Sequence, residues 1–176
     1  MRNRLGLGLA VLTLASATMT GLATDAGAGD TNTQFNVQAG TLAVSVPGSS
    51  NLGTVTAGTL TLSGSLGTVT VSDTRGALTA AWTASVSTTA FTTGGATTTE
   101  TVAKANVAYS SGTATSTSGT GTFTPGVAAS LAAPGVAGAW LGTGSNSVSW
   151  NPTLTITLLP SQAAGTYTGT VTHSVA

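Results

Sequence analysis

The chain has 176 residues, of which only four are acidic and four basic, with one histidine and no cysteine. So few charges exclude the basic patch that nucleic acids require and the polybasic stripe that anionic membranes attract. Without cysteine no disulfide holds the fold, so its stability must come from burying apolar side chains, which make up 40% of the residues, and from backbone hydrogen bonds.

The N-terminus has the parts of a secretory signal peptide. Arg2 and Arg4 give a positive start, Leu5–Leu14 is an apolar run, and Ala26–Ala28 fits the small-residue pattern of a cleavage site. The alternative is an uncleaved membrane anchor, but threonine, serine and glycine make the second half of the segment weakly apolar for a bilayer span. We therefore expect residues 1–28 to be removed on export, which makes the protein secreted.

The remainder, residues 29–176, is expected to form one domain without membrane insertion. It holds three acidic and two basic side chains, which gives a formal net charge of −1. Low charge with abundant serine, threonine and glycine can signal disorder, but here the apolar residues alternate regularly with polar ones. This alternation favours a folded domain whose strands each bury one face.

Period-two alternation predicts β-strands along most of this domain, while the Ser-, Gly- and Thr-rich stretch Ser110–Thr122 is predicted to be a flexible loop. Turn signals recur roughly every eight to twelve residues and separate about eight to ten short strands. The sequence therefore predicts an all-β fold, an antiparallel β-sandwich. The clearest predicted strands, two of them in the first range, lie within Thr33–Val46, Ala80–Ser87, Thr97–Tyr109, Thr153–Leu159 and Gly165–Ala176.

His173 is the only histidine, and therefore the only imidazole that could act as a general base. It shares a strand face with Tyr167, Val171 and Val175, which we assign to the core, so we interpret it as a core residue. The alternative is a secreted hydrolase with His173 as its base, but the few carboxylates lie in no recognisable motif. Neither a metal site nor a glycine-rich phosphate loop is predicted, so no cofactor is expected.

Three tryptophans are candidates for a platform on which glycan rings stack. Alternation points Trp82 toward the core. Trp140 lies between Gly138 and Gly142, in sequence typical of a loop, and Trp150 precedes Asn-Pro at the end of a predicted strand. Trp140 and Trp150 are therefore the candidate surface aromatics.

Opposite charges cluster only in Asp73-Thr-Arg-Gly76. As a turn, this segment would use the Asp73 side chain as a cap and Gly76 in a positive-φ conformation, with Arg75 paired to Asp73 or lying over Trp82. The alternative is that Asp73 and Arg75 bind a carboxylate or a sugar. We favour the turn, because turns need these residue types whether or not a ligand exists.

Two stretches of the chain resemble the WxL cell-wall-binding domains of Gram-positive surface proteins. The first runs from Gly67–Gly76 through Ala81–Ser87 to Phe91, and is similar to that family's strand, Asp-x-Arg-Gly turn and first Trp-x-Leu motif. The second comprises Leu159-Pro160 and Ala164–His173, and is similar to the C-terminal Pro…Ala-Gly-x-Tyr segment and the second motif. The chain differs from the family pattern at Ala84, where leucine is usual, and at His173, where the second tryptophan is usual.

The resemblance implies a secreted protein that attaches non-covalently to peptidoglycan or works in a surface protein complex. Our leading expectation is accordingly a non-catalytic cell-surface protein at the cell wall. The first alternative is a self-assembling fibre or coat subunit, because threonine-rich edge strands without charge invite pairing between copies. The residues that carry the family motifs, and hence the candidate wall-binding residues, are Asp73, Arg75, Gly76, Trp82, Tyr167 and His173.

Overall fold

The computed structural model describes residues 30–176, so the predicted signal peptide lies outside the described residues. Residues 37–176 form one compact unit. It contains twelve strands and two single 3-10 turns, Thr98–Glu100 and Lys104–Asn106. The strands are β1 Leu42–Ser45, β2 Thr61–Ser65, β3 Val69–Asp73, β4 Ala80–Thr88, β5 Phe91–Thr92, β6 Thr101–Val102, β7 Val107–Ser110, β8 Ala114–Pro125, β9 Val127–Ala128, β10 Gly135–Trp150, β11 Thr153–Thr157 and β12 Val171–Val175.

The larger, six-stranded sheet is built around β10, which is 16 residues long. β8 runs along one edge of β10, so that Val148 of β10 faces Thr117 on that side and Val71 of β3 on the other. β4 and β3 follow each other along the second edge, β4 beside the first half of β10 and β3 beside the second half. β12 then pairs with β4, and β1 with β3; every pairing in the sheet is antiparallel.

The β8–β10 ribbon is irregular near its middle. The register shifts between Thr143 and Ser147, and Gly119 and Gly144 there take φ values of +95° and +66°. Glycine adopts such values at little cost, and a β-bulge of this kind bends and twists the strands that carry it. The irregularity separates the part of β10 that pairs with β4 from the part that pairs with β3.

A four-stranded sheet, in the order β2-β11-β7-β9, packs against the larger sheet, and one cluster of apolar side chains fills the space between them. In β4 every second side chain is buried, including Trp82, Ala84 and Val86, while the residues between them are less buried or exposed. β-Branched and aromatic residues suit such a half-buried pleated surface. The predicted all-β antiparallel sandwich is confirmed, with twelve strands where about eight to ten were predicted, of which β8 and β10 are long.

Two local predictions are wrong for opposite reasons. Residues 33–38 form no strand, and Phe35 and Val37 are 89% and 80% exposed, because nothing in the described chain pairs with this alternating segment. The predicted loop Ser110–Thr122 instead provides most of β8, because hydrogen bonding to β10 makes a strand of a sequence without apolar periodicity. The last strand is also shorter than predicted, since only Val171–Val175 is regular.

Candidate functional site

The Asp73–Gly76 turn is held together by its own side chains. Asp73 Oδ1 accepts the backbone N–H of Arg75 at 3.0 Å and its Nε–H at 2.9 Å, while Asp73 Oδ2 accepts from Arg75 Nη2 at 2.8 Å. Arg75 Nη2 also donates to the carbonyl of Ala81 at 3.1 Å, and Gly76 has a φ of +66°. Arg75 thus pairs with Asp73 as the turn interpretation expects, and its guanidinium bonds to that carboxylate instead of lying over the Trp82 ring.

The buried Asp73 carboxylate is neutralised by the exposed guanidinium of Arg75. The Arg75 guanidinium holds the pKa of the Asp73 carboxyl below its usual range, although burial alone would raise it. The same contact raises the pKa of Arg75. Because Asp73 is only 1% exposed, its carboxylate is not accessible to a sugar or to any other ligand in solution.

All three tryptophans lie in the core, so the placement of Trp140 and Trp150 on the surface is wrong. Trp82 and Trp140 are each 3% exposed and Trp150 is fully buried. The Trp82 and Trp150 rings stack with centroids 6.5 Å apart, and Phe123 of β8 packs against them at 6.3 and 5.3 Å. These rings form an internal cluster between the sheets instead of a platform for glycans.

The glycines around Trp140 leave room for its indole ring. They therefore do not mark the loop that the sequence had indicated. A Cβ at Gly121 would lie 2.6 Å from the Trp140 ring, and one at Gly142 would lie 2.8 Å from its Nε1. Trp140 therefore lies in the middle of β10 with its indole against the backbone of two glycines. Among the described residues its Nε1–H has no acceptor, whereas the Trp82 Nε1–H donates to Asn146 Oδ1 at 2.9 Å.

His173 lies on the inward side of β12, half-buried against Tyr109. Its Nε2 is 3.2 Å from Tyr109 Oη, and the two rings meet edge to face at 5.6 Å. Tyr109 Oη accepts the Nε1–H of Trp150 at 3.0 Å, which leaves its own proton to donate to His173. Burial lowers the pKa of His173 and raises the pKa of Tyr109 to about 12, so that both groups are neutral near pH 7.

A catalytic histidine is normally oriented by a carboxylate and bonded to a nucleophile. The one side chain that hydrogen-bonds His173 among the described residues is Tyr109. Asp73 is bonded to Arg75, and Glu100 accepts from Thr97 at the first 3-10 turn. The arrangement around His173 is that of a core contact and not that of a catalytic triad.

Tyr167 fixes the segment that precedes β12. Its hydroxyl lies 2.8 Å from the Ala163 carbonyl and 3.1 Å from that of Thr99, and it accepts from Gln162 Nε2 at 3.1 Å. The motif residues therefore divide into two groups. The turn and Trp82 meet beside Asn146, which faces Asp73 in the sheet, whereas Tyr167 and His173 line a cleft.

This cleft, of about 870 Å³, opens between the 46–59 loop and the 162–171 segment and reaches the core. The residues that line it include no Asp, Glu, Lys or Arg. Sequence reasoning did not find the cleft, because its walls come from parts of the chain far apart in sequence. Its main apolar lining residues are Leu62, Phe91, Leu154, Ile156, Leu158 and Val171.

The outer edge of β8 is a second feature that sequence reasoning missed. Within residues 30–176, β8 pairs with β10 alone, so its other edge carries unpaired backbone N–H and C=O groups. β8 is 12 residues long, almost wholly exposed and without a charged side chain. Its Ser, Thr and Gly composition was the only signal, and that signal is equally typical of a loop.

In the part of the chain that the structure describes, no three His, Asp or Glu side chains lie close enough together to hold a metal ion. No helix within the same residues is long and apolar enough to cross a bilayer. In comparisons with known proteins, no family model, curated protein or solved structure matches the chain.

Proposed function

We propose that this protein is a non-catalytic structural subunit that assembles with copies of itself outside the cell by pairing at the free edge of β8. The observation that carries the proposal is the combination of length, exposure and neutrality in that edge. Natural sheets normally protect an edge strand with lysine, proline, an inward charge, a β-bulge or a covering loop, and of these β8 has along its length only the irregularity near Gly119. β8 has no charged residue, and its single proline, Pro125, is at its very end.

Two β8 strands can pair antiparallel about a two-fold axis, because such an interface uses the same surface of both copies. Every second residue of β8 directs its backbone groups away from β10, so the added pairing would satisfy groups that β10 leaves unpaired. At its other side the larger sheet ends in β1 and β12, which pair with no further strand within residues 30–176. Pairing at both edges would extend a pair of subunits into a fibre or layer.

The burial of the aromatic residues supports an assembly function over glycan stacking. With Trp82, Trp140 and Trp150 inside the core, no tryptophan of the described chain is available to a sugar ring. A charge-free backbone edge, in contrast, is a surface that another strand recognises through main-chain hydrogen bonds.

Lysine substitutions on β8 test this proposal. Ser116→Lys with Thr122→Lys places two charges on the exposed edge, and Thr83→Lys is the matched control, since Thr83 is also exposed but lies on the interior strand β4. In sedimentation velocity we expect concentration-dependent assembly of the wild-type and Thr83→Lys proteins, and smaller particles for the double variant, which loses the pairing through β8. Wild-type protein that stays monomeric at every concentration, or a double variant that assembles normally, would show the proposal to be wrong.

Non-covalent attachment to peptidoglycan or to a surface complex is the second candidate, and one observation favours it. The outward face of the larger sheet carries serine and threonine hydroxyls and no charge; Thr70 and Ser149 share a hydrogen bond of 2.8 Å there, as do Ser85 and Ser174. Such hydroxyls can bond to glycans. Co-sedimentation with purified cell walls tests this candidate, and recovery no greater than that of an unrelated neutral β-domain would eliminate it.

A further inference from the structure

Residues 33–38 have the composition of a strand without being part of a sheet. Phe35 and Val37 alternate with Gln34, Asn36 and Gln38, and the segment is uncharged. Both apolar side chains are among the most exposed of the described chain. Spaced two residues apart, they would lie on one face of an extended strand, with the three amides on the other.

The larger sheet is incompletely covered where the cleft opens. The inward side chains of β4 are all buried, but those of its neighbour β12, namely Val171, His173 and Val175, are only half-buried. β12 pairs with β4 alone among the described strands, so its second edge makes no backbone pairing, although β1 lies near β12. Both Val171 and His173 line the cleft. One additional strand beside β12 would bury this row and fill the opening.

We propose that residues 33–38 of one copy provide that strand for a second copy, adding to the free edge of β12 with Phe35 and Val37 inserted into the cleft. The inference rests on the proposed self-assembly and gives it a second, head-to-tail contact. Such a contact joins two different surfaces, so it propagates into an open chain unless the rotation closes a ring.

The chemistry of the two surfaces fits. The cleft and the segment both lack charge, so insertion would bury no ion. Six extended residues span roughly 20 Å, enough to follow the five residues of β12 along their whole length. The main chain would supply the pairing, and the two apolar side chains would supply selectivity, as in other cases of strand addition.

A donor-disabled variant, in which residues 33–38 can no longer insert, tests the donor segment independently of the receiving cleft. Phe35→Ser with Val37→Ser removes the apolar face of the segment and leaves the cleft unchanged, and Gln34→Ser with Asn36→Ser is the matched control on the opposite face. Because all four side chains are exposed, we expect both variants to fold with the wild-type melting temperature. Only the first should lose the head-to-tail contact and form smaller particles in sedimentation velocity.

The single histidine reports directly on the cleft. A peptide of residues 31–40 is titrated into the Phe35→Ser, Val37→Ser protein while the His173 ring resonances are followed by NMR, with a peptide carrying the same two substitutions as the control. We expect saturable shifts of the His173 signals with the wild-type peptide and none with the control. No shift, or equal shifts with both peptides, would overturn the inference and leave the cleft to another occupant.

The two experiments distinguish failure of this inference from failure of the proposed function. If the wild-type peptide shifts His173 but the Ser116→Lys, Thr122→Lys variant assembles like wild type, assembly through β8 is wrong and the donor site stands. If the donor-disabled variant assembles like wild type and the peptide has no effect, pairing through β8 stands and the donor strand is wrong.

Discussion

Asp73 is a buried carboxylate whose charge is balanced within the turn that it begins. We expect Asp73→Asn to lower the free energy of unfolding by about 1.5–3 kcal/mol, the usual worth of hydrogen bonds to a charged group. Asp30→Asn is the control, because Asp30 is exposed and should change stability by less than about 0.5 kcal/mol. Urea denaturation at neutral pH measures both, and equal stabilities for the two variants would contradict the role given to the Arg75 pair.

Asp73 also sets the behaviour of the fold in acid. Because Arg75 lowers the folded-state pKa of Asp73 beneath its ordinary value of 3.8, the unfolded chain takes up this proton first as the pH falls. The stabilisation is therefore present above pH 3.8 and is lost below it. Asp73→Asn should flatten this part of the stability profile.

His173 makes stability depend on pH in a higher range. Burial lowers its folded-state pKa below the ordinary 6.5, so on acidification the unfolded chain binds the proton before the folded chain does. Stability should be constant above pH 6.5 and fall as the pH drops from there toward the folded-state value. Since the chain has no other histidine, His173→Gln should abolish the slope between about pH 5 and 7. A slope that persists in this variant would contradict the account.

At the scale of the element, the β8–β10 ribbon depends on glycine where the two backbones and the Trp140 indole meet. A Cβ at Gly142 would clash with the Thr120 carbonyl and lie 2.8 Å from Trp140 Nε1. We expect Gly142→Ala to cost about 1–3 kcal/mol, the usual penalty for overpacking. Gly48→Ala is the control, because nothing lies within 4 Å of its Cβ position. Thermal unfolding compares the two, and equal melting temperatures would disagree with the packing described.

Elements that bury one face could be predicted from sequence, because the burial leaves a period-two signal. β4 shows this, since Trp82, Ala84 and Val86 alternate with polar residues and are all buried. β8 could not be predicted, because it forms a strand only by pairing with β10. Most of its residues stay exposed, so they leave no period-two signal. Residues 33–38 show the converse, an alternating pattern without a partner in the described chain.

The same distinction applies to the candidate site. The Asp73 turn was predictable because its bonds join residues two positions apart in sequence. The burial of Trp140 and Trp150 could not be predicted, because it depends on strands that come together from distant parts of the chain. Trp150, for example, contacts Phe123 of β8 and Tyr109 of β7. Glycines that provide space for an indole have the same appearance in sequence as glycines that form a loop.

At the scale of the whole molecule, the described chain has few groups that bind ligands and many that pair with other strands. Its one ion pair neutralises itself in a turn, its tryptophans fill the core, and its histidine is bonded to a buried tyrosine. What remains for a partner is neutral backbone at the sheet edges and an apolar cleft. These features favour a structural subunit of an assembly.

Hydrogen exchange of the β8 amides at increasing protein concentration tests this central claim most directly. In dilute solution the outward-directed N–H groups of Ala114–Pro125 should exchange rapidly, while the amides of β3 and β4, paired on both sides, are protected. As subunits pair through β8, its outward amides should gain protection in step with the assembled fraction. Assembly with no change in the exchange of β8 would contradict the claim.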